Sequence, residues 1–398
     1  MEKQVSNGRL RQVRITFMLI YLLYMSARSL FNPYVTLFLH EKGFDAGVIG
    51  NITAANSFVL IFAQPFWGLI SDAMRSVKKT IIICMVLQAA VALLMRDAAA
   101  VVMVTVMYCV FGFFSSPEGP LLDTWSLHSL KQAGDAHGVG QLKLFGCLGY
   151  SLCSVFSALA IARSTTASML PIYAAVLVVT AMILMLIPEG APKEKAAKLK
   201  DLNPASMLRN TAFVSLLIYI FFMQIPHRAA YTFYATYITE LGGTKAMVGF
   251  TNAVMFLSEG LVLYFSKKLL AKYPPQYVIL GSSLCFALWQ VLYAMAPSAP
   301  WIVGIAVLDG PSYGLFCIGM LYYLDVLAPG KLRASYQTIA YAVYFGLAGI
   351  AGNKLAGVLI ESLGYRPMYW LGTALILASS LVYWLANRKT WQREREAH

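Results

Sequence analysis

Charged residues are scarce in this chain. Asp, Glu, Lys and Arg make up 12% of its 398 residues and hydrophobic residues make up 59%, whereas an ordinary soluble domain is roughly 25% charged. Between the charges run apolar segments of about 20 residues, each long enough to cross the hydrocarbon core of a bilayer. This composition excludes an ordinary soluble protein and indicates a chain that lies in a membrane.

The motifs of enzymes are also missing. The chain has no cluster of His, Cys and Asp at metal-ligand spacing, no Walker sequence, and no serine and histidine paired on adjoining loops. Its six cysteines fall within apolar segments, where we expect free thiols that serve as small packing residues. The sequence therefore predicts no enzyme, no metal and no cofactor, and any uphill transport must draw on an ion gradient.

Basic residues outnumber acidic ones by 31 to 18, yet they lie in short loops and not on one surface with interleaved aromatics, so we expect no nucleic acid. With the N-terminus inside, 22 of the 31 fall on the cytoplasmic side and five in the outer loops. This bias predicts a multi-pass protein of the bacterial inner membrane with both termini cytoplasmic. We expect a monomer whose partners are membrane lipid, a small-molecule substrate and a proton.

Twelve apolar spans follow one another along the chain. A polar stretch at 189–210 divides them into an N-terminal bundle at 1–188 and a C-terminal bundle at 211–398, and it predicts a cytoplasmic linker. The predicted spans cover 15–39, 46–71, 79–95, 99–127, 139–162, 168–188, 211–239, 246–266, 277–296, 301–327, 334–360 and 367–386. The pattern predicts an all-α membrane protein of twelve transmembrane helices in two six-helix bundles.

The two sets of six resemble each other at a constant offset of 200 residues. Tyr34, Thr36 and Gly43 match Tyr234, Thr236 and Gly243, and Phe145, Gly146 and Gly149 match Phe345, Gly346 and Gly349. Repeats of this kind are typical of transporters, in which the solute site lies between the halves near the bilayer midplane. The sequence therefore predicts a pseudo-symmetric transporter.

Several charged residues fall inside the predicted spans, where each costs about 2.5–3.5 kcal/mol even on a lenient scale and usually marks a pathway. The bases are Arg28, Lys143, Arg228 and Lys354, and the acids are Glu118, Asp123, Glu259 and Asp309. Similar depths in the membrane allow Asp123 to meet Lys143 and Asp309 to meet Lys354. Each of these pairs is either a structural clamp or part of the site.

Polar stripes at helical spacing accompany three of the bases. Arg28 shares a face with Tyr21, Tyr24 and Asn32; Arg228 with Gln224, His227 and Tyr231; and Lys143 with Cys147, Tyr150 and Ser154. Such stripes line aqueous cavities or helix contacts. We predict substrate contacts for Asp123, Lys143, Tyr150, Arg28, Arg228 and Tyr231.

Three residues are candidates for coupling a proton: Glu259, His227 and Asp309. Glu259 lies near the middle of its span, and burial of a carboxylate favours the protonated form. His227 is well inside a span, and an imidazole titrates near neutral pH, although a plain hydrogen-bonding role is the alternative for it. We expect Glu259 to carry the proton.

The end of the second span reads Gln64-Pro-Phe-Trp-Gly68-Leu-Ile-Ser-Asp72 and continues to Lys79. It resembles the G-x-x-x-D signature with following basic residues of the major facilitator superfamily, and in particular the lactose permease branch. The resemblance implies alternating access between two bundles. It also implies a cytoplasmic gate in which the glycine permits close helix approach and the aspartate binds helix ends and bases. The gate residues by position are Gly68, Asp72, Arg75, Lys78 and Lys79.

A second match covers Pro120 to Asp123 and Gly140 to Tyr150. It is similar to the lactose permease stretch in which a glutamate and an arginine hydrogen-bond a galactoside and a tryptophan stacks on the sugar ring. By position, these roles fall to Asp123, Lys143 and Tyr150. All three are substitutions, and a lysine lacks the bidentate fork of arginine.

The second half resembles phenylpropionate permease relatives of the same branch at His227, at Ala229 to Tyr231 and at Ser258-Glu259. The position of the carboxylate that carries the proton in lactose permease is occupied by Ser312 here. Asp309 lies near the sequence position at which lactose permease has its coupling histidine. The resemblance therefore implies that another acid carries any coupled proton.

These observations favour solute:proton symport into the cell, with a sugar or glycoside as the first choice. A nucleoside or an aromatic carboxylate, with Arg28 or Arg228 as anion partner, is the nearest alternative. A proton-coupled drug exporter of the same fold is expected to have a greasier cavity with fewer charges. A receptor or scaffold would need a sizeable soluble domain.

Overall fold

Among the residues that the computed structural model describes, twelve helical spans are long and apolar enough to cross a membrane, as the sequence predicts. The structure describes residues 2–133, 139–187, 207, 209–328 and 333–396. Almost all of the predicted linker at 189–210 lies outside these residues, so the bounds of the two halves stay a prediction. We number the spans 1 to 12 in chain order.

The first six spans begin and end within a few residues of the predicted bounds, with two exceptions. The helix of span 1 starts earlier than predicted, and span 4 continues further at its second end. Span 1 comprises Glu2–Phe31, a 3-10 turn at Asn32–Tyr34 and Val35–Glu41; span 2 is Ala46–Ala73; span 3 is Val77–Asp97; span 4 comprises Val101–Ser115 and Glu118–Gln132; span 5 is Val139–Ile161; span 6 comprises Thr166–Ser168 and Met169–Leu186. Pro33 accounts for the turn in span 1, because proline lacks the N–H that an α-helix needs there.

The last six spans include two with π-helical turns. Span 7 is Thr211–Glu240; span 8 is Lys245–Lys272; span 9 is Pro275–Ala294; span 10 comprises Ala299–Ile305, Ala306–Leu308, Gly310–Gly314 and Leu315–Leu327; span 11 comprises Arg333–Tyr341, Ala342–Leu347 and Ala348–Leu363; span 12 is Tyr365–Glu396. The π-helical turns are Gly310–Gly314 and Ala342–Leu347. Turns of this kind are frequent at functional sites.

The pseudo-symmetry predicted from the sequence is visible in the turn that follows the first span of each half. Gly43 and Gly242 both adopt positive φ, at +87° and +74°, a conformation that glycine enters at no steric cost. The conformational equivalent of Gly43 is thus Gly242, one position before the Gly243 that the sequence offset predicts. The two halves end their first spans with the same turn.

The halves meet along two pairs of spans, 5 with 8 and 2 with 11. At Gly50 in span 2, a side chain would place its Cβ 2.7 Å from the carbonyl oxygen of Asn353 and 3.0 Å from the Cα of Gly357 in span 11. The backbones can approach this closely only because both positions are glycine. Large apolar side chains such as Leu152 and Val326 cover the outer surface, as a lipid solvent requires.

Candidate functional site

Charged residues of four spans, one of them buried and three half-buried, converge between the two halves. Tyr231, half-buried in span 7, lies within electrostatic range of Asp309, Glu259, Arg228 and Arg28. These side chains come from spans 10, 8, 7 and 1, so the tyrosine hydroxyl sits among both signs of charge. Five of the predicted site residues therefore share one region, which we call the central cluster.

Asp123 and Lys143 form a second polar group, and the contact predicted between them is present. The Lys143 ammonium lies 2.7 Å from Asp123 Oδ2, and the Tyr21 hydroxyl donates to Asp123 Oδ1 at 2.5 Å. Both charged side chains are 40% exposed, so they line open space and are not sealed in the core. Tyr21, on the stripe of Arg28, adds a hydroxyl that the site prediction omitted.

Tyr150 does not join this pair. Its ring stacks on Phe256 of span 8, with centroids 3.5 Å apart and planes at 15°, and the residue is only 3% exposed. Seven residues, or about 10.5 Å of helix, separate it from Lys143. In this conformation Phe256 covers a face of the ring that stacking on a sugar would use. Nothing in the sequence singled out Phe256 as this partner.

The two arginines of the central cluster are held by aromatic groups. Arg28 donates from Nη1 to the Tyr24 hydroxyl at 2.6 Å, and the Arg228 guanidinium lies 5.6 Å from the ring centroid of Phe345. Within the part of the chain that is described, Arg228 Nε has no hydrogen-bond partner. Both cations thus retain donors that an anionic or hydroxylated solute can accept.

Glu259 and Asp309 lie on neighbouring spans that are locked together. Ser258 Oγ accepts a hydrogen bond of 3.0 Å from the backbone N–H of Gly310, and a Cβ at Gly310 would lie 2.5 Å from the carbonyl oxygen of Ser258. This contact brings the two carboxyl groups within electrostatic range of each other. Repulsion between two carboxylates in such a setting favours a state in which one is protonated.

The pairing of Asp309 with Lys354 is wrong. Lys354 is exposed and donates instead to Asn51 Oδ1 of span 2 at 2.6 Å, while Asp309 is 4% exposed beside span 8. Equal depth in the membrane placed the two residues at one level, but it does not fix the direction of a side chain around its helix. Lys354 belongs to the face of span 11 that meets span 2.

His227 is packed among aromatic side chains. Its ring centroid lies 4.5 Å from that of Phe286 and 5.5 Å from that of Tyr313, and the residue is 2% exposed. Neither ring nitrogen has a hydrogen-bond partner among the described side chains. In this conformation His227 therefore has no hydrogen-bond partner among the described residues to which it could pass a proton.

The residues of the implied cytoplasmic gate lie at the end of span 2, in the turn after it and at the start of span 3. A Cβ at Gly68 would meet no described atom within 4 Å, so the close helix approach implied by the resemblance is absent here. Lys78 donates to the carbonyl oxygens of Met185 at 3.0 Å and Ile187 at 2.7 Å, which ties it to the end of span 6 in its own half. Arg75 and Lys79 are exposed, and the side chain of Asp72 lies outside the described structure.

Polar contacts join the halves nearer the opposite end of the bundle. Glu41 at the end of span 1 forms an ion pair with Lys245 at the start of span 8, and its Oε2 accepts from the Thr166 N–H at 3.0 Å. Further along, Asn353 Nδ2 donates to Ser57 Oγ at 3.3 Å, and Ser151 Oγ donates to the Ala253 carbonyl at 2.8 Å. The Glu41–Lys245 pair was not predicted, since Lys245 was counted with the bases of the outer loops and Glu41 was not singled out.

A twelve-span bundle whose halves meet around buried charges and are tied together near one end defines a membrane transporter. The chain belongs to the MFS_1 like family, whose model matches residues 15–371. It is therefore a multi-pass membrane protein of a transporter family and not an enzyme, and the resemblance to the major facilitator superfamily is confirmed.

The relatives and the solved structures agree with this class. The uncharacterized transporter YwbF of Bacillus subtilis is 24% identical over 87% of this chain and 86% of its own length. The maltose permease of Geobacillus stearothermophilus is 24% identical over 96% of each. A mutant of the nucleoside transporter NupG has the same fold, with a TM-score of 0.83, 16% identity, and coverage of 93% of this chain and 98% of its own.

Proposed function

We propose that the protein is a secondary active transporter that moves a small organic solute together with a proton by alternating access. The observation that carries this proposal is the convergence of Arg28, Arg228, Glu259 and Asp309 around Tyr231 between the halves. Charges of both signs buried in a membrane are costly and mark pathways. A drug exporter is less well supported, because the cavity of such an exporter is expected to contain fewer charged residues than converge here.

A sugar or glycoside is the solute that we favour. Tyr21, Asp123 and Lys143 offer hydroxyl, carboxylate and ammonium groups within one hydrogen-bonded set that is partly open, which suits a polyhydroxylated ring. The relative named as a maltose permease supports the same class. A nucleoside, the substrate class named for NupG, or an aromatic carboxylate bound by Arg28 or Arg228 is the second candidate.

Glu259 is our candidate for the proton carrier, with Asp309 as its neighbour. The two carboxyl groups lie within electrostatic range of each other, and Lys143 is within range of Glu259. A solute that engages Lys143 thereby changes the charge that Glu259 experiences. This arrangement couples the proton on Glu259 to occupation of the Asp123 and Lys143 group.

The polar ties near Glu41 support a conformation that is closed at that end. Together with the cytoplasmic termini proposed from the basic loops, they support a closed end on the outside and an open space around Asp123 and Lys143 that faces the cytoplasm. The open environment of Gly68 agrees with a cytoplasmic gate that is not engaged in this state. We therefore assign the conformation to the inward-facing half of the transport cycle.

The proposal is tested by uptake into proteoliposomes of labelled sugars, nucleosides, aromatic acids and lipophilic cations, each with and without an imposed pH gradient. We expect one solute class, with sugars first, to accumulate only when the gradient is present. Accumulation of lipophilic cations instead would favour the exporter. If no member of the panel is taken up, the substrate is neither a sugar nor a nucleoside, and the proposed solute class is wrong.

The Glu41–Lys245 ion pair gives the first prediction. Its side chains are 24% and 34% exposed, so we expect a contribution of about 0.2–1 kcal/mol to the outward-closed state, or up to about fivefold in the ratio of conformers. Lys245→Glu should slow solute exchange by preventing closure, and adding Glu41→Lys should restore it. If the double reversal is as slow as the single variant, the pair does not hold the closed state.

Asp72 gives a second prediction, which stands on the signature motif alone. Asp72→Ala should slow transport much more than it weakens equilibrium binding of solute, because a gate acts on the conformational step. Asp97→Ala, an exposed acid at the opposite end of span 3, is the matched control and should leave both unchanged. Equal losses of binding and transport in Asp72→Ala would refute the gate.

A further inference from the structure

Glu118 is a buried acid to which neither the predicted site nor the proposed proton carrier assigns a role. It lies at the start of the second helix of span 4, Glu118–Gln132, and is 1% exposed. Neither carboxyl oxygen has a hydrogen-bond partner in the described parts of the chain. The carboxyl group therefore does not cap its own helix either, although it stands at the helix start.

The surroundings of Glu118 come from three other spans. Span 1 contributes Tyr24 and Arg28, span 3 contributes Cys84, and span 6 contributes Tyr173, each within electrostatic range. Gln88, one turn beyond Cys84, is also buried, and its Oε1 is unpartnered within the described structure. On its own span, Asp123 lies within range of Tyr24.

Arg28 is the cation that lies within electrostatic range of Glu118. Its hydrogen bond, however, goes to Tyr24 and not to Glu118. Its Nη1 donates to the Tyr24 hydroxyl at 2.6 Å, and its guanidinium lies 5.5 Å from the centroid of the same ring. Span 4 reaches this contact, because a Cβ at Gly119 would lie 3.4 Å from the Tyr24 hydroxyl. The acid and the base thus share one pocket without forming an ion pair.

An ionised carboxylate in this position would lose its hydration and gain no donor, which is a large cost. A neutral carboxyl group avoids that cost. We propose that Glu118 is a second proton-binding site, inside the first half of the protein, and that its proton decides whether Arg28 points to Tyr24 or to Glu118. When the proton leaves, the carboxylate attracts the guanidinium away from Tyr24 and from the space between the halves.

The consequence for transport rests on the proposed function. Protonation of Glu118 leaves Arg28 free to meet solute in the central cluster, whereas deprotonation withdraws that positive charge into an internal pair. A proton bound at Glu118 therefore favours solute binding. The protonation itself is independent of what the protein transports, so it is tested separately.

The test is the infrared spectrum of the purified full-length protein near neutral pH, in water and in heavy water. We expect a carboxylic acid C=O component that shifts in heavy water and is lost from Glu118→Gln, while the component contributed by the Glu259 and Asp309 pair remains in both spectra. Glu361→Gln, which removes an exposed acid, should retain it. An unchanged carboxylic acid C=O region in Glu118→Gln overturns the proposal.

Two further variants separate the switch from a merely structural role. Tyr24→Phe removes the acceptor of Arg28, so the guanidinium should pair with Glu118 and the band should lose at least half of its intensity. Glu118→Asp, which serves if the glutamine variant does not fold, should shift the band without removing it. A full band in Tyr24→Phe would refute the role of Arg28, and a band unmoved in Glu118→Asp would refute Glu118 as its source. Because no solute is added, these outcomes do not depend on the proposed transport function.

Discussion

Lys143→Ala should weaken solute binding by about 30-fold while the protein remains folded and inserted. A hydrogen bond from a charged group such as the Lys143 ammonium to the solute is worth about 1.5–3 kcal/mol, and the 40% exposure of the side chain argues for the lower part of that range. A loss of about 2 kcal/mol corresponds to about 30-fold in Kd. The measurement is equilibrium binding of the solute identified by the uptake panel.

Lys354→Ala is the matched control for this variant. It removes the same charge from a membrane span, but from an exposed lysine whose hydrogen bond is to Asn51. We expect its solute affinity to stay within about twofold of the wild type. Normal affinity in Lys143→Ala, or an equal loss in both variants, would show that Asp123 and Lys143 do not form the solute site.

Glu259→Gln should exchange solute across the membrane and yet fail to concentrate it. Glutamine has nearly the shape of the protonated acid, so a carrier that reorients only when Glu259 is neutral can still reorient. Because the variant cannot bind or release a proton at this position, the pH gradient no longer drives transport through the proposed carrier. We expect the accumulation ratio to fall to about one while exchange stays within about threefold of the wild-type rate.

Two variants accompany this experiment. Glu361→Gln, an exposed acid near the outer end of span 11, should accumulate solute normally. Asp309→Asn removes the neighbouring carboxyl group, and we expect it to change the pH dependence of accumulation. If Glu259→Gln still accumulates solute under a pH gradient alone, Glu259 is not the carrier and Asp309 becomes the leading candidate.

The fold was predictable because the bilayer imposes it. Any span needs about 20 apolar residues, so the runs along this chain give the number of spans and approximate ends without knowledge of packing. The hairpin contact between Asp123 and Lys143 was predictable for a related reason, since spans 4 and 5 are consecutive and both residues lie near the same end. Short sequence separation and common depth are enough in that case.

Contacts between distant spans were not predictable in the same way. Similar depth in the membrane suggested that Asp309 pairs with Lys354. The partner of a side chain is decided, however, by the rotation of its helix about the helix axis. That rotation depends on where small residues let two spans approach each other. Gly310 brings Asp309 against span 8, and Gly50 with Gly357 brings the face of Lys354 against span 2. Tyr150 shows the same limit, because its stacking on Phe256 joins the two halves across more than a hundred residues.

The positive-φ glycine of the symmetric turns was nearly predictable. The repeat offset matched Gly43 to Gly243, whereas the backbone makes Gly242 its equivalent. The second half has two adjacent glycines, and either could adopt the positive φ of the turn. Only the backbone structure shows which one does. Sequence periodicity thus gives the presence of the turn and leaves its register open by one residue.

Coupling of solute to a proton is the central claim, and proton movement driven by solute tests it most directly. Proteoliposomes in a lightly buffered medium are given the solute identified by the panel, with no imposed gradient and a permeant ion to dissipate charge, while a pH dye reports the outside. We predict that the medium becomes alkaline as solute enters, in the wild type and in Glu361→Gln but not in Glu259→Gln. Solute entry without any change in external pH would contradict the account.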